Sequence, residues 1–134
     1  SGSTHDIDKW TSVMTCVVDD NSNMAEFILK RKEDPNVGCG VHATPPLVEG
    51  AWRGYLEICH VLLQYDANPD ATDSRGFHAI YAAAQQGYQE VIQLIINHGG
   101  DPHQTRVGTC ITPAQHARNN GHINLAIWLE TKRK

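Results

Sequence analysis

Eight histidines and four cysteines lie along a chain of 134 residues, enough to ask whether any of them forms a nucleophile–base pair or a metal cluster. Cys59 and His60 are adjacent, and a thiol facing an imidazole could be activated for attack. Both fall in the run Leu56-Glu57-Ile58-Cys59-His60-Val61-Leu62-Leu63, which reads as helix. Neighbours on a helix point about 100° apart and do not face each other, so Cys59 is expected to pack in a core. His103 and Cys110 come together only near one turn, and such a pair falls short of the ligand set that tetrahedral zinc takes. Gly38-Cys39-Gly40 has neither the following lysine nor the preceding strand of a phosphate loop and reads as a turn. Lys132-Arg133-Lys134 suits the negative end of a helix dipole as a solvated terminus. No catalytic constellation emerges, and no metal or cofactor is expected.

Composition narrows the partners. Eleven Lys and Arg against fifteen Asp and Glu give a net charge of -4, a poor field for attracting nucleic acid. With 40% hydrophobic and 19% charged residues the chain can build a core. Its apolar runs stop far short of the ~18 residues needed to cross a bilayer, so no membrane partner is expected. The four cysteines form no CxxC pair and read as reduced thiols, which points to the cytoplasm or nucleus. Ser1-Gly2-Ser3-Thr4 (residues 1–4) reads as a cloning remnant, and nothing at the start has the form of a targeting signal.

The elements that position these residues follow from an internal repeat. Asp34-Pro35-Asn36, Asn68-Pro69-Asp70 and Asp101-Pro102-His103 recur at steps of 34 and 33 residues. Each follows an apolar run: Phe27-Ile28-Leu29, Val61-Leu62-Leu63 and Leu94-Ile95-Ile96, with Trp128-Leu129 as a fourth. The clearest unit, His78 to Gly99, reads as helix, glycine turn, helix. Ala82, Ala83 and Ala84 favour helix and allow close approach, and Gly87 suits a positive φ. Gly54 and Gly121 recur at its position. Val91, Ile92, Leu94, Ile95 and Ile96 cover too wide a stripe for one neighbour, so this helix must lie between units.

The unit resembles the ankyrin repeat, with a period of about 33 residues and the signature Thr-Pro-Leu-His-x-Ala, then Gly-His and an apolar helix. Pro45-Pro46-Leu47-Val48-Glu49-Gly50-Ala51 carries it in the second unit and Thr112-Pro113-Ala114-Gln115-His116-Ala117, followed by Gly121-His122, in the fourth. The first, with Thr11-Ser12-Val13-Met14-Thr15-Cys16 and Asp20-Asn21 in place of Gly-His, fits least well. The resemblance implies an all-α solenoid of paired antiparallel helices with β-turn fingers. It forms a single domain over residues 5–134, with repeats at approximately 5–36, 37–70, 71–103 and 104–134. Lys32 and Asp66 replace the turn glycine seen at Gly99, which predicts strained or altered turns. Val107-Gly108-Thr109-Cys110 departs from the finger Asp73-Ser74-Arg75-Gly76. Arg118 and Glu130 put charge where earlier repeats are apolar, as on the outer face of a terminal repeat.

The resemblance further implies a non-catalytic, monomeric module, part of a larger protein, that binds a partner protein or peptide on a concave face of fingers and first helices. Carried over by position, that face comprises Trp10, then His42, Thr44, Glu49, Trp52 and Arg53. The third repeat adds Ser74, Arg75, Phe77, Tyr81, Gln85 and Gln86, and the fourth Thr109, Ile111, Asn119 and Asn120. Trp52 with Arg53 stands out, since Trp and Arg are enriched at binding hot spots. A second reading has Trp52, Tyr81 and Phe77 caging a modified lysine or small cationic ligand. Because the first repeat lacks the Gly-His turn, its amides around Thr11 to Val18 should exchange with deuterium faster than those around Val91 to Ile96. The reverse order in a native-state exchange experiment would overturn the expectation that the third repeat anchors the array.

Overall fold

The computed structural model describes residues 11–132. Its helices fall into pairs: α1 (Ser12–Val18) with α2 (Ser22–Lys30), α3 (Pro46–Arg53) with α4 (Leu56–Gln64), α5 (Ala79–Gln86) with α6 (Gln89–Asn97), and α7 (Pro113–Asn119) with α8 (Ile123–Glu130). The first helices stack in the row α1, α3, α5, α7, and α2, α4 and α6 form a second row beside it. Extended pairing among the described residues is confined to the bridges Cys39–Thr44 and Thr72–His78 at the base of two fingers. The all-α solenoid expected from the sequence is the fold.

Local chemistry fixes the helix starts. Thr11, Asn21 and Thr112 each accept a hydrogen bond from the backbone N–H three residues on, at 3.1 Å, satisfying a donor that the first turn leaves orphaned. Pro46 and Pro113 open α3 and α7, where a missing N–H costs nothing. Gly54 and Gly87 end α3 and α5 with φ of 75° and 84°. Each is also roofed by the next repeat. A Cβ on Gly54 would lie 2.7 Å from the Tyr88 ring, and one on Gly87 2.9 Å from the His122 ring. The glycine is needed for its conformation and its small size together, and the aromatic after the next turn glycine is the lid.

Close approach recurs within the pairs. Ala82, Ala83 and Ala84 are all buried, and Gly50, at the place of Ala83 in α3, leaves so little room that a Cβ would meet Cys59 Sγ at 3.2 Å. That accounts for a glycine inside a helix, where it otherwise costs about 1 kcal/mol against alanine. Cys59 is fully buried, and burial pushes its thiol up to about 12, so it is a core residue. Val61, Leu62, Ile80, Val91 and Ile95 are all buried.

The irregular turns keep the common shape. Lys32 and Asp66 hold φ of 72° and 74°, the left-handed conformation that Gly99 adopts at 97°, so these turns are strained without being reshaped. In the fourth finger Gly108 supplies φ of 82° and Thr109 N–H bonds to Arg106 O at 2.9 Å. Arg118 Nη2 lies 2.9 Å from Glu130 Oε2, and this pair is solvent-exposed.

The third repeat departs from the pattern at its cap. His78, where Thr11 and Thr112 cap their helices, makes no side-chain cap and instead donates from Nε2 to the Gln104 carbonyl at 2.8 Å. The carbonyl can only accept, so Nε2 carries the proton and Nδ1 is left without a donor. Burial holds this imidazole below its usual range, against the smaller opposing pull of the Gln104 carbonyl, Asp70 and Asp101.

Two predictions follow from this packing. Leu62, fully buried between repeats, should lose about 2–5 kcal/mol of folding stability as Leu62→Ala. Chemical denaturation measures it, and a loss under about half a kcal/mol would place the register in error. For His78 the neutral form is the folded one. Its contribution is complete above the unfolded value near 6.5 and is lost as pH falls through the depressed folded value. Melting temperatures at neutral and mildly acidic pH should therefore diverge, and His78→Gln should narrow that gap.

Candidate functional site

Fingers and first helices meet in a hollow of about 380 Å³ between the second and third repeats. Trp52 stands at the end of α3, with 43% of its surface exposed. It faces this space together with His42, Thr44, Val48, Glu49, Arg75, Phe77, Ala82 and Gln85. The fingers that bound it are tied edge to edge. Ser74 N–H donates to His42 O at 2.8 Å, and Arg106 Nε donates to Arg75 O at the same distance.

Asp73 builds the third finger from inside. Its Oδ1 accepts from the backbone N–H of Arg75 at 2.9 Å and of Phe77 at 3.0 Å, while Oδ2 takes Arg75 Nη2 at 2.7 Å and Nε at 3.1 Å. The carboxylate is wholly buried, yet Arg75 keeps 42% of its side chain in solvent. Arg75 and Arg106 both lie over the Phe77 ring, at 4.6 and 4.8 Å from its centroid. At the α3 end Arg53 Nε reaches Glu49 Oε2 at 2.6 Å, and that bond is the main reason its guanidinium holds its proton more firmly.

Behind the third finger the rings form a stack. Tyr81 lies flat on His116, with centroids 4.0 Å apart and planes 11° from parallel, and Phe77 tilts against Tyr81 at 5.1 Å. His116 Nε2 is 3.2 Å from Gln85 Oε1. Burial first, and the Arg106 cation second, hold His116 below its ordinary range. Burial raises the Tyr81 hydroxyl, with Arg106 opposing.

Of the residues assigned to this face from the sequence, His42, Thr44, Glu49, Trp52, Arg75, Phe77 and Gln85 come together at the hollow. Tyr81 is a correction. It is 1% exposed and stacked on His116, and on α5 it is Ala82 and Gln85 that line the hollow. Arg53 reaches the groove only through Glu49. Ser74 and Gln86 are exposed without lining the hollow. In the fourth repeat Thr109 Oγ1 bonds to Arg106 O at 2.9 Å, and Ile111 N–H to Thr109 Oγ1 at 3.2 Å, so both serve the finger turn. Asn119 is exposed at the end of α7, and Asn120 Nδ2 donates to His116 O at 2.8 Å as a cap. Trp10 lies outside the described residues.

Sequence reasoning missed Asp73, Arg106 and His116. For His116 the signal was present, since it stands at the repeat position of Glu49 and Ala82. Among the described residues no group of three or more His, Cys, Asp or Glu is placed to hold a metal ion, and His103 instead meets the Lys132 carbonyl at 2.6 Å through Nε2. No helix among them is long and apolar enough to cross a membrane.

Comparison with known proteins agrees with the geometry. A family model described as ankyrin repeats, in three copies, matches residues 47–132, which takes in α4 to α8 and nearly all of α3. A probable E3 ubiquitin-protein ligase, XBOS34 of Oryza sativa subsp. japonica, is 28% identical over 65% of the chain and 17% of its own length. The putative E3 ubiquitin-protein ligase XBAT34 of Arabidopsis thaliana is 29% identical over 64% of the chain and 23% of its own length. Alpha-latrocrustotoxin-Lt1a of Latrodectus tredecimguttatus is 22% identical over 90% of the chain but only 8% of the toxin. The chain thus spans less than a quarter of each of these relatives. Two ligases and a toxin differ in kind, so the likeness carries architecture alone. Helix pairs, glycine turns, tied fingers and the matched model place the chain in the ankyrin-repeat family.

Proposed function

We propose that this domain is a non-catalytic recognition module within a larger polypeptide, binding a partner protein or extended peptide on the face formed by its fingers and first helices. Ankyrin repeats are protein–protein interaction modules, and the family fold is generally non-catalytic. The observation that carries the reading is the hollow beside Trp52, a large ring left substantially exposed on a helix whose other side is buried. Rigid stacking pre-organises this face, so a partner meets little ordering cost on the receptor side. Free thiols at all four cysteines favour the cytoplasm or nucleus as the compartment. The cation-reader alternative loses support, because Tyr81 is stacked against His116 and Phe77 already carries two arginines of the chain itself.

Trp52→Ala tests the reading. Truncating an anchor ring commonly costs 2 kcal/mol or more of binding, and a loss of at least about tenfold in partner affinity is expected here, with helical content and melting temperature nearly unchanged. Titration calorimetry beside a thermal melt separates the outcomes. A loss of several kcal/mol in stability would make Trp52 a packing residue, and full affinity at full stability would move the site elsewhere.

A further inference from the structure

Arg106 is a cation that the turn of its own finger does not require, although its Nε ties that finger to the third. Its backbone N–H bonds to Ile111 O at 3.0 Å, and Cys39, six residues before its own signature position as Arg106 is before Thr112, makes the same bond to Thr44 O at 3.0 Å with a small side chain. Thr72 holds the place in the third repeat and bridges to His78. A guanidinium there adds nothing to the turn.

Its charge is also unbalanced. Arg53 pairs with Glu49 and Arg75 with Asp73, whereas no carboxylate lies within ion-pair distance of Arg106 among the described residues. Arg106 commits Nε to the Arg75 carbonyl, interacts with the Tyr81 hydroxyl and, like Arg75, lies over the Phe77 ring. The surplus cation therefore sits where the third and fourth fingers meet, on a chain whose formal charge is -4. Next to it, Arg75 and Phe77 form one wall of the hollow, and Trp52, Val48 and Ala82 supply apolar surface across it. One end of the groove thus holds Arg75, paired with Asp73, and Arg106, which has no carboxylate partner among the described residues, and the adjoining hollow joins apolar surface at Trp52 and Val48 to a Glu49 carboxylate already paired with Arg53.

We infer that the partner segment is an extended peptide carrying an Asp or Glu side chain next to a large apolar one, the carboxylate held at the arginine end of the groove by Arg106 and Arg75 and the apolar side chain in the hollow beside Trp52. The inference rests on the concave-face reading above and adds the partner's chemistry to it. Arg75 retains donors beyond the two given to Asp73, and a planar guanidinium suits bidentate capture of a carboxylate. Cations held over an aromatic face and partly shielded from water attract a counter-charge more strongly than free surface arginines do.

Selection of random dodecapeptides displayed on phage against the whole chain, followed by binding of the synthesised winners, tests this. Enrichment of sequences with an acidic residue beside an aromatic or large aliphatic one is expected, with affinity falling as salt rises. Arg106→Gln should weaken such a peptide about tenfold, as should changing its acidic residue to the amide, and the two changes together should cost little more than either alone. Arg106→Lys should recover part of the loss, and an unchanged melt shows that the finger is intact. Neutral or basic winners that need Trp52 would overturn the acidic assignment and leave the groove standing. Winners indifferent to both Trp52→Ala and Arg106→Gln would overturn the concave-face reading. Displacement by inorganic phosphate or oligonucleotide alone, without enrichment of acidic peptides, would also overturn the assignment, as would the absence of any enriched sequence.

Discussion

A hydrogen-bond relay through the Asx-Pro turns sets the spacing on which everything else depends. In each turn the first residue folds the loop on itself. Asp34, Asn68 and Asp101 accept from the backbone N–H two residues on, at 2.8 to 2.9 Å. The third residue then reaches forward, Asn36 Oδ1 accepting from Asn68 N–H at 2.7 Å and Asp70 Oδ1 from Asp101 N–H at 3.0 Å. Each bond contributes only about 1 kcal/mol net, somewhat more to a carboxylate, which is small beside the apolar burial between repeats. Their effect is on register: they fix the distance and angle at which one unit meets the next, and the finger bonds do the same at the opposite edge.

Register decides what the groove can be. Because the first helices stack in a fixed row, the same few positions of each repeat face the fingers, and at one of them the residues differ widely: Glu49, Ala82 and His116. Small Ala82 opens the hollow, while His116 closes the next interval by stacking on Tyr81. Identical backbones therefore carry one open interval and one filled interval. The recognition chemistry comes from side chains that the scaffold tolerates without needing them, as a fully buried core residue could not be exchanged without leaving a cavity.

The scaffold was readable in the sequence because its signals are periodic and locally enforced. Apolar stripes, turn glycines and Asx-Pro steps each reflect a constraint that recurs every repeat, and Gly54 and Gly87 answer to two such constraints at once. Much of the groove, including Trp52, Glu49 and Phe77, followed from what the resemblance to the ankyrin repeat implies, carried over by position. Part of what escaped depended on contacts far apart in the chain, and the Asp73 network on local geometry. Tyr81 is covered by His116 of the following repeat, a contact that nothing within its own repeat announces. Asp73 is an acid held fully buried by four donors, a role that composition reads as an ordinary turn residue. Arg106 acquires its place only when the fourth finger lies against the third.

The cysteines differ in reach more than in number. Cys16, Cys39 and Cys59 are buried, and burial raises the thiols of Cys16 and Cys59, so thiolate is scarce at those two sites. Cys110 alone is exposed, on the finger next to Ile111. Electrophiles need both access and thiolate, so a maleimide or iodoacetamide reporter would select this one sulfur in the folded protein. A dye there would sit beside the cationic end of the groove without engineering, and general alkylation of all four thiols would read out unfolding of the stack.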